Sequence, residues 1–209
     1  YVLDSGNGRI IQLDLNLQMV AVYDDFHTES GEEISIQGAQ GFTLDLNGNF
    51  YVADTLRNRV LRITRERVAT LTIEMPEDVQ LDTDAAFKAK KVLVDENNKI
   101  YVLVENINVG AFVFDENGEF DKFFGSNPIV KTYEVIQDYL LKRFMTKEQR
   151  KGVERIVPTL FNNFDIDARG FLCTVTATSD STLGTQNVRL LNYRGGRFLT
   201  ETAAFGDLE

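Results

Sequence analysis

Residues 41–63 read GFTLDLNGNFYVADTLRNRVLRI and contain three short strand patterns. In FTLDL, apolar and polar residues alternate, as in a strand with one buried face. The segments FYVA and VLRI are rich in residues that favour strands. Between the first two patterns, DLNG has the composition of a tight turn, because aspartate caps local amides and glycine accepts a positive φ. The segment therefore predicts three antiparallel strands joined by short connections.

The same pattern recurs along the chain. Three copies align at Tyr1, Tyr51 and Tyr101, which are 50 residues apart, and a weaker fourth copy covers residues 163–177 and 188–191. Sequence repeats of this length that carry several short strands are typical of β-propeller blades, which bury their faces by stacking on their neighbours. The repeat therefore predicts an all-β fold.

The turn motif Asp-x-x-Gly recurs with the repeat. It begins at Asp45, Asp115 and Asp167, and after Asp95 the glycine position is Asn98. Asparagine is among the residues that best tolerate a left-handed backbone, so we expect the same turn there.

We predict one propeller domain or fragment over residues 1–209, with blades at about 1–26, 41–73, 89–125 and 159–200. A six-bladed ring would need roughly 270 residues at this repeat length. The chain is therefore expected to supply about four blades of an incomplete ring. Residues 24–40 are expected to form a polar loop that carries the single histidine, His27, in solvent.

The segment FYVADTLRNRVLRI resembles the NHL repeat, in which a YVAD-like strand is followed by an N-x-R-[IV] strand. The third copy departs from that pattern, with Val104-Glu105 in place of Ala-Asp. The chain as a whole, including Phe123-Phe124-Gly125 and Val157-Pro158-Thr159, resembles NHL-repeat proteins of gut Firmicutes that carry a membrane segment elsewhere. This resemblance implies an NHL-type propeller that is extracytoplasmic or membrane-tethered and binds a protein or a polymer.

Two charged pairs recur with the repeat. Asp4 and Arg9 occupy the same positions as Asp54 and Arg59, and we expect each pair to bridge a hairpin and fix the blade geometry. Arg57 belongs to an arginine-rich stretch that has two interpretations, a patch that binds carboxylate or phosphate groups, or part of this structural pairing.

Residues 128–158 interrupt the strand pattern. Tyr133, Ile136, Leu140 and Phe144 follow helical spacing, which predicts an α-helical hairpin inserted between blades. Its basic residues are candidate contacts for an acidic partner, for the acidic surface of the propeller itself or for an anionic membrane. They are Lys142, Arg143, Lys147, Arg150 and Lys151. The alternative is a solvated helix surface whose apolar stripe packs on a blade.

Composition narrows the possible functions. The net charge of −10 disfavours nucleic acid, which is bound mainly through neutralised phosphates. Cys173 is the only cysteine, so no internal disulfide forms. No apolar run is long enough to predict a transmembrane helix, which needs about 18 residues.

No nucleophile elbow, P-loop or zinc-ligand spacing occurs. The leading hypothesis is therefore a non-catalytic binding scaffold without a cofactor. The alternative is a calcium-type lactonase-like or lyase-like hydrolase, because propeller enzymes similar to NHL repeats use a metal or histidine at the central channel. With a single histidine, the candidate metal ligands are Asp45, Asp95 and Asp165, or Asp167 in place of Asp165. A third hypothesis is a structural arm that dimerises through the insertion.

Overall fold

A computed structural model of the chain describes residues 1–76, 86–105, 107, 110–124, 163–167, 172–175 and 188–191. These residues are all-β, and apart from one 3₁₀ turn at Thr55–Arg57 they contain no helix. The predicted helical insertion at 128–158, with its five candidate basic residues, lies outside this part of the chain.

The strands form four sheets in chain order. The first sheet consists of β1 (Val2–Asp4), β2 (Arg9–Leu13) and β3 (Met19–Tyr23). The second has the order β5-β4-β9-β8-β7-β6 and consists of β4 (Phe26–Thr28), β5 (Glu33–Ile34), β6 (Gly41–Leu44), β7 (Phe50–Asp54), β8 (Arg59–Ile63) and β9 (Val68–Ile73). The third consists of β10 (Ala89–Val94), β11 (Ile100–Val104), β12 (Ala111–Phe114) and β13 (Phe120–Phe124). The fourth consists of β14 (Asn163–Ile166), β15 (Leu172–Val175) and β16 (Val188–Leu191).

The prediction of a polar loop at residues 24–40 was wrong. Strands β4 and β5 form a hairpin in which β4 pairs in parallel with β9, placing His27 opposite Val68. The hairpin is anchored by Phe26, which is 1% exposed. An uncovered β9 would leave a row of unpaired backbone groups at the sheet edge, and this hairpin pairs with its first two residues, Val68 and Ala69.

The core lies between successive sheets. Ile10 of the first sheet packs in one cluster with Val52 and Leu61 of the second. Ala53 of the second sheet and Val102 of the third belong to the next cluster. A further cluster joins the third sheet to the fourth. The second and third sheets therefore each bury one face against the preceding sheet and the other against the following sheet, as stacked blades do.

The predicted Asp-x-x-Gly turn is present at Asp45, Asp95 and Asp115, where the backbone N–H three residues later donates to the carbonyl of the aspartate. The same turn occurs at Asp14, where the fourth residue is Leu17 with a φ of 61°. The sequence did not indicate this turn, because leucine is unfavourable in the left-handed region.

Leu17→Gly is expected to raise the free energy of unfolding by about 1 kcal/mol, because glycine adopts this φ without steric cost. The leucine side chain is 76% exposed, so its removal loses little packing. Urea denaturation measures the change. Leu17→Ala removes the side chain but keeps the strain, so a similar gain from that variant would contradict the explanation.

Candidate functional site

The two predicted charged pairs are brought together at the same place in two sheets. Asp4 lies directly opposite Arg9 in the β1–β2 register, and Asp54 lies opposite Arg59 in the β7–β8 register. The Nε of Arg9 donates to Asp4 Oδ2 at 2.8 Å, and the Nε of Arg59 donates to Asp54 Oδ2 at 2.9 Å. Each pair closes the end of a hairpin, which is the geometry that the repeat predicts.

Arg57 adds a second arginine to the Asp54 carboxylate. The 3₁₀ turn after β7 directs its side chain back, and Nη1 donates to Asp54 Oδ1 at 3.1 Å and to the carbonyl of Gln37 at 3.2 Å. The side chain remains 37% exposed. Arg57 therefore takes part in the structural pairing, and its binding role stays a prediction for a side chain that is partly exposed.

The two aspartates differ in their surroundings. The Asp54 side chain is completely buried, whereas that of Asp4 is 24% exposed. Hydrogen bonds from Asn7, and then from Arg9, lower the pKa of Asp4. Each carboxylate accepts a hydrogen bond from an arginine Nε and so fixes the position of that side chain.

A hydroxyl group next to each aspartate connects its sheet to the residues at the start of the first strand of the following hairpin. Ser5 Oγ donates to the carbonyl of Ala39, and Thr55 Oγ1 donates to the carbonyl of Ala89, in each case 34 positions later. The repeated Asp-Ser/Thr dipeptide was the available sequence signal, but sequence reasoning missed these contacts. Gln37 Nε2 also donates to the carbonyl of Gly6 at 2.9 Å. The loops at this end are thus fixed by hydrogen bonds to backbone.

We call this end the upper loop face. It continues to the third sheet, where the Glu105 N–H donates to the carbonyl of Lys88 at 2.9 Å and Lys90 Nζ lies 3.5 Å from a Glu105 carboxylate oxygen. Among the described residues of this face, five basic side chains lie beside four acidic ones. The basic ones are Arg9, Arg57, Arg59, Lys88 and Lys90, and the acidic ones are Asp4, Asp54, Glu74 and Glu105. Leu56, which is 69% exposed, is an apolar side chain on the same face.

The opposite ends of the strands carry the Asp-x-x-Gly turns, and we call this end the lower turn face. Asp45 Oδ1 accepts hydrogen bonds from the N–H groups of Asn47 and Asn49, at 2.9 and 2.8 Å. Asp115 makes the same turn, and its pKa is lowered mainly by the Glu119 N–H. Acidic residues predominate in the described turns, so the described parts of the two faces differ in charge.

The candidate metal ligands are occupied locally. Asp95 Oδ1 accepts from the N–H groups of Asn97 and Lys99, and Asp95 Oδ2 accepts from the Tyr101 hydroxyl at 3.1 Å. Burial, followed by the neighbouring Asp95, raises the pKa of Tyr101. These bonds use the carboxylate oxygens that a cation would need.

Asp165 lies on β14, and its Oδ1 accepts from the Ile166 N–H at 2.9 Å. Within the described ranges, no three carboxylate, histidine or cysteine side chains are grouped so that they could hold a metal ion. The structure therefore does not bring Asp45, Asp95 and Asp165 together.

Comparison with solved structures identifies the architecture. Over 93% of this chain and 48% of the other, it superposes on a catalytically inactive variant of virginiamycin B lyase from Staphylococcus aureus, with a TM-score of 0.54 and 12% identity. A streptogramin B lyase gives a TM-score of 0.51 at 12% identity, over 92% of this chain and 47% of the other. The chain has a β-propeller-like fold. We number the four described sheets blades 1 to 4 in chain order.

Hydrazine synthase from Kuenenia stuttgartiensis matches this propeller with a TM-score of 0.50 and 10% identity, over 90% of this chain and 41% of the other. The chain thus spans about half the length of these proteins or less. No protein-family model matches it, and neither does any curated protein. At these identities the likeness is one of fold. No described helix is long and apolar enough to span a membrane.

Proposed function

We propose that this propeller is a non-catalytic, NHL-type binding scaffold at the bacterial cell envelope, and that its upper loop face binds an acidic segment of a protein or polymer. The observation that carries the proposal is that Arg57, Lys88 and Lys90 are exposed on the described part of this face, in a chain whose net charge is −10. Opposite charge at a surface steers the approach of a partner and fixes its orientation.

The rigidity of the face supports a role in binding. Ser5, Thr55, Gln37 and Arg57 each donate to a backbone carbonyl of another segment of this face. Loops held in this way lose little conformational entropy when a ligand binds, so more of the contact energy contributes to affinity.

The distribution of charge favours a short carboxylate-bearing segment over a long polyanion. Arg57 and Lys88 provide exposed cations, and an arginine matches the planar geometry of a carboxylate. A long nucleic acid would also approach the acidic lower turn face, where like charges repel it. A short acidic segment needs to contact only the upper loop face.

The proposal is tested by the binding of a fluorescein-labelled oligoglutamate peptide, measured by fluorescence anisotropy at low and physiological ionic strength. Lys88→Glu is expected to weaken binding on the order of tenfold, because it places a repelling charge on the face. Added salt should also weaken binding, since exposed charges are screened. Lys122→Glu is the matched control, because it makes the same charge change at an exposed position in the middle of β13, away from the upper loop face.

Equal weakening by the two variants would mean that net charge alone governs binding, which would contradict the proposal. An absence of peptide binding by the wild type at low salt would contradict it as well.

Thermal melting in the presence of calcium distinguishes the binding scaffold from the alternative, a hydrolase with Asp45, Asp95 and Asp165 as metal ligands. A melting temperature that rises and saturates with calcium would favour that alternative. An unchanged melting temperature would favour the binding scaffold.

A further inference from the structure

The sequence contains three Asn-Gly dipeptides, and all three lie in tight turns of the described chain. They are Asn7-Gly8, Asn47-Gly48 and Asn117-Gly118. An Asn-Gly dipeptide loses ammonia without an enzyme when the glycine nitrogen attacks the carbonyl carbon of the asparagine side chain. Glycine favours this attack because it has no Cβ to obstruct the approach. The surroundings of the three dipeptides therefore determine which of them reacts in the folded protein.

Two of the three asparagine side chains are restrained by a carboxylate of their own turn. Asn7 Nδ2 donates to Asp4 Oδ1 at 3.0 Å and to Oδ2 at 2.9 Å. Asn117 Nδ2 lies 3.4 Å from Asp115 Oδ2, which is a longer and weaker contact. At either site the amide group has to leave its aspartate before it can turn toward the glycine nitrogen.

The Asn47 side chain has no such restraint. It is exposed, and it takes part in no hydrogen bond with the residues that the structure describes. Only the Asn47 N–H is bonded, to Asp45 Oδ1 at 2.9 Å. The bond from the Gly48 N–H to the Asp45 carbonyl, at 3.0 Å, has an equivalent at Gly118, at 3.1 Å, so it does not distinguish the two turns. The Asn47 carbonyl carbon can therefore rotate toward the Gly48 nitrogen without losing a side-chain contact.

A cation also lies beside Gly48. Arg65 Nε donates to the carbonyl of Gly48 at 2.9 Å, and three aromatic rings hold the guanidinium group in place. The attack requires the glycine nitrogen to lose its proton, and a nearby positive charge stabilises the anion that results. A Cβ at Gly118 would instead meet side-chain atoms of Leu71 and Ile73 at 3.1 Å. These apolar neighbours provide no such stabilisation.

We infer that Asn47 is a site of spontaneous deamidation and isoaspartate formation in the folded protein. The deprotonated Gly48 nitrogen forms a bond to Cγ of Asn47, the Cγ–Nδ2 bond breaks, and the amide nitrogen takes up a proton and leaves as ammonia. Water then opens the resulting five-membered imide at either of its carbonyl carbons, which gives aspartate or isoaspartate. Both products add a negative charge to the lower turn face. Isoaspartate also lengthens the backbone of the turn between β6 and β7.

Peptide mapping by mass spectrometry tests this inference on the full 209-residue chain, incubated folded at mildly alkaline pH. Isoaspartate is quantified in the same samples with an isoaspartyl methyltransferase. Asn47 is expected to convert on the order of tenfold faster than Asn7 and Asn117, because a nearby opposite charge stabilises an anion by about that factor. The chain in urea is the control, since all three dipeptides are then flexible and their rates should become similar.

Two variants test the contribution of the cation. Arg65→Gln keeps a hydrogen-bond donor but removes the charge, so it should slow conversion at Asn47 and leave Asn117 unchanged. Arg65→Lys keeps the charge and should retain most of the rate. Circular dichroism establishes that the variants are folded, and the wild-type comparison decides the question if they are not.

Equal or faster conversion of Asn7 or Asn117 in the folded wild type would overturn the inference. It would also be overturned if Asn47 converted only in urea. A rate at Asn47 that folded Arg65→Gln does not lower would overturn the role assigned to the arginine.

Discussion

Asp54→Asn is expected to lower the free energy of unfolding by about 3 kcal/mol, because removing one partner of a buried ion pair leaves the other charge uncompensated. Both oxygens of the Asp54 carboxylate are used, Oδ1 by Arg57 and Oδ2 by Arg59. An asparagine presents an NH₂ group to one of these guanidinium groups, and a donor facing a donor makes no hydrogen bond. The expected loss is a large fraction of the stability of a typical domain.

The repeat provides an internal control for this prediction. Asp4→Asn removes the same charge from the same hairpin position, and Asp4 likewise accepts a 2.8 Å bond from an arginine Nε. Because Asp4 is more exposed, water can solvate the arginine that loses its partner, and we expect a much smaller loss. Urea denaturation of both variants measures the difference. Equal losses would show that burial does not determine the effect.

Asp54 also connects stability to the proposed function. It holds Arg57 close to the carbonyl of Gln37, so the buried carboxylate positions an arginine of the upper loop face. Because these two hydrogen bonds fix the guanidinium group, the exposed part of Arg57 would meet a ligand in a single orientation. A scaffold of this kind uses its core to limit the conformations of its binding side chains.

The features that the sequence predicted are local or periodic. The alternation of apolar residues located β6, β7 and β8, and the 50-residue repeat extended the pattern to the neighbouring blades. The Asp54–Arg59 contact was accessible to the same reasoning, because the two residues end adjacent strands of one hairpin. The turns at Asp45 and Asp115 required only their own four residues.

The features that the sequence did not predict depend on distant contacts. The hairpin of β4 and β5 is short and largely polar, and its pairing partner, Val68, is 41 positions beyond His27. Strand propensity alone does not indicate such an element, because its stability comes from the edge that it covers. The Thr55 hydroxyl also lies near the local carbonyl of Ala53, and nothing in the neighbouring sequence indicates its bond to Ala89, 34 positions later.

The candidate metal ligands likewise have one predicted role that depends on local contacts and one that depends on distant contacts. Asp45 and Asp95 were predicted both as turn formers and as cation ligands. The turn role needs one residue and the amides next to it, whereas a cation site needs several carboxylates brought together from different strands. Sequence spacing supports the first role directly and gives no distances for the second. The structural role of Arg57 needs only Asp54, three residues earlier, whereas its binding role depends on a ligand and stays a prediction.

Gly41→Ala is expected to lower the free energy of unfolding by about 3 kcal/mol, because the new methyl group would overpack a close contact between two blades. A Cβ atom at Gly41 would lie 2.5 Å from the carbonyl oxygen of Lys90 and 3.0 Å from the Cα of Lys91. Both are backbone atoms, so no side-chain rotation relieves the contact. The substitution therefore has to separate β6 of blade 2 from β10 of blade 3.

The control for this substitution is Gly6→Ala, because a Cβ at Gly6 would meet nothing within 4 Å. We expect that variant to stay within about 0.5 kcal/mol of the wild type, as surface substitutions usually do. Since Lys90 belongs to the upper loop face, a displacement of β10 by Gly41→Ala should also weaken the binding of oligoglutamate, measured under conditions in which the variant is folded. Normal stability of Gly41→Ala would mean that β6 and β10 can move apart at little cost. The upper loop face would then lack the rigidity on which its proposed binding role depends.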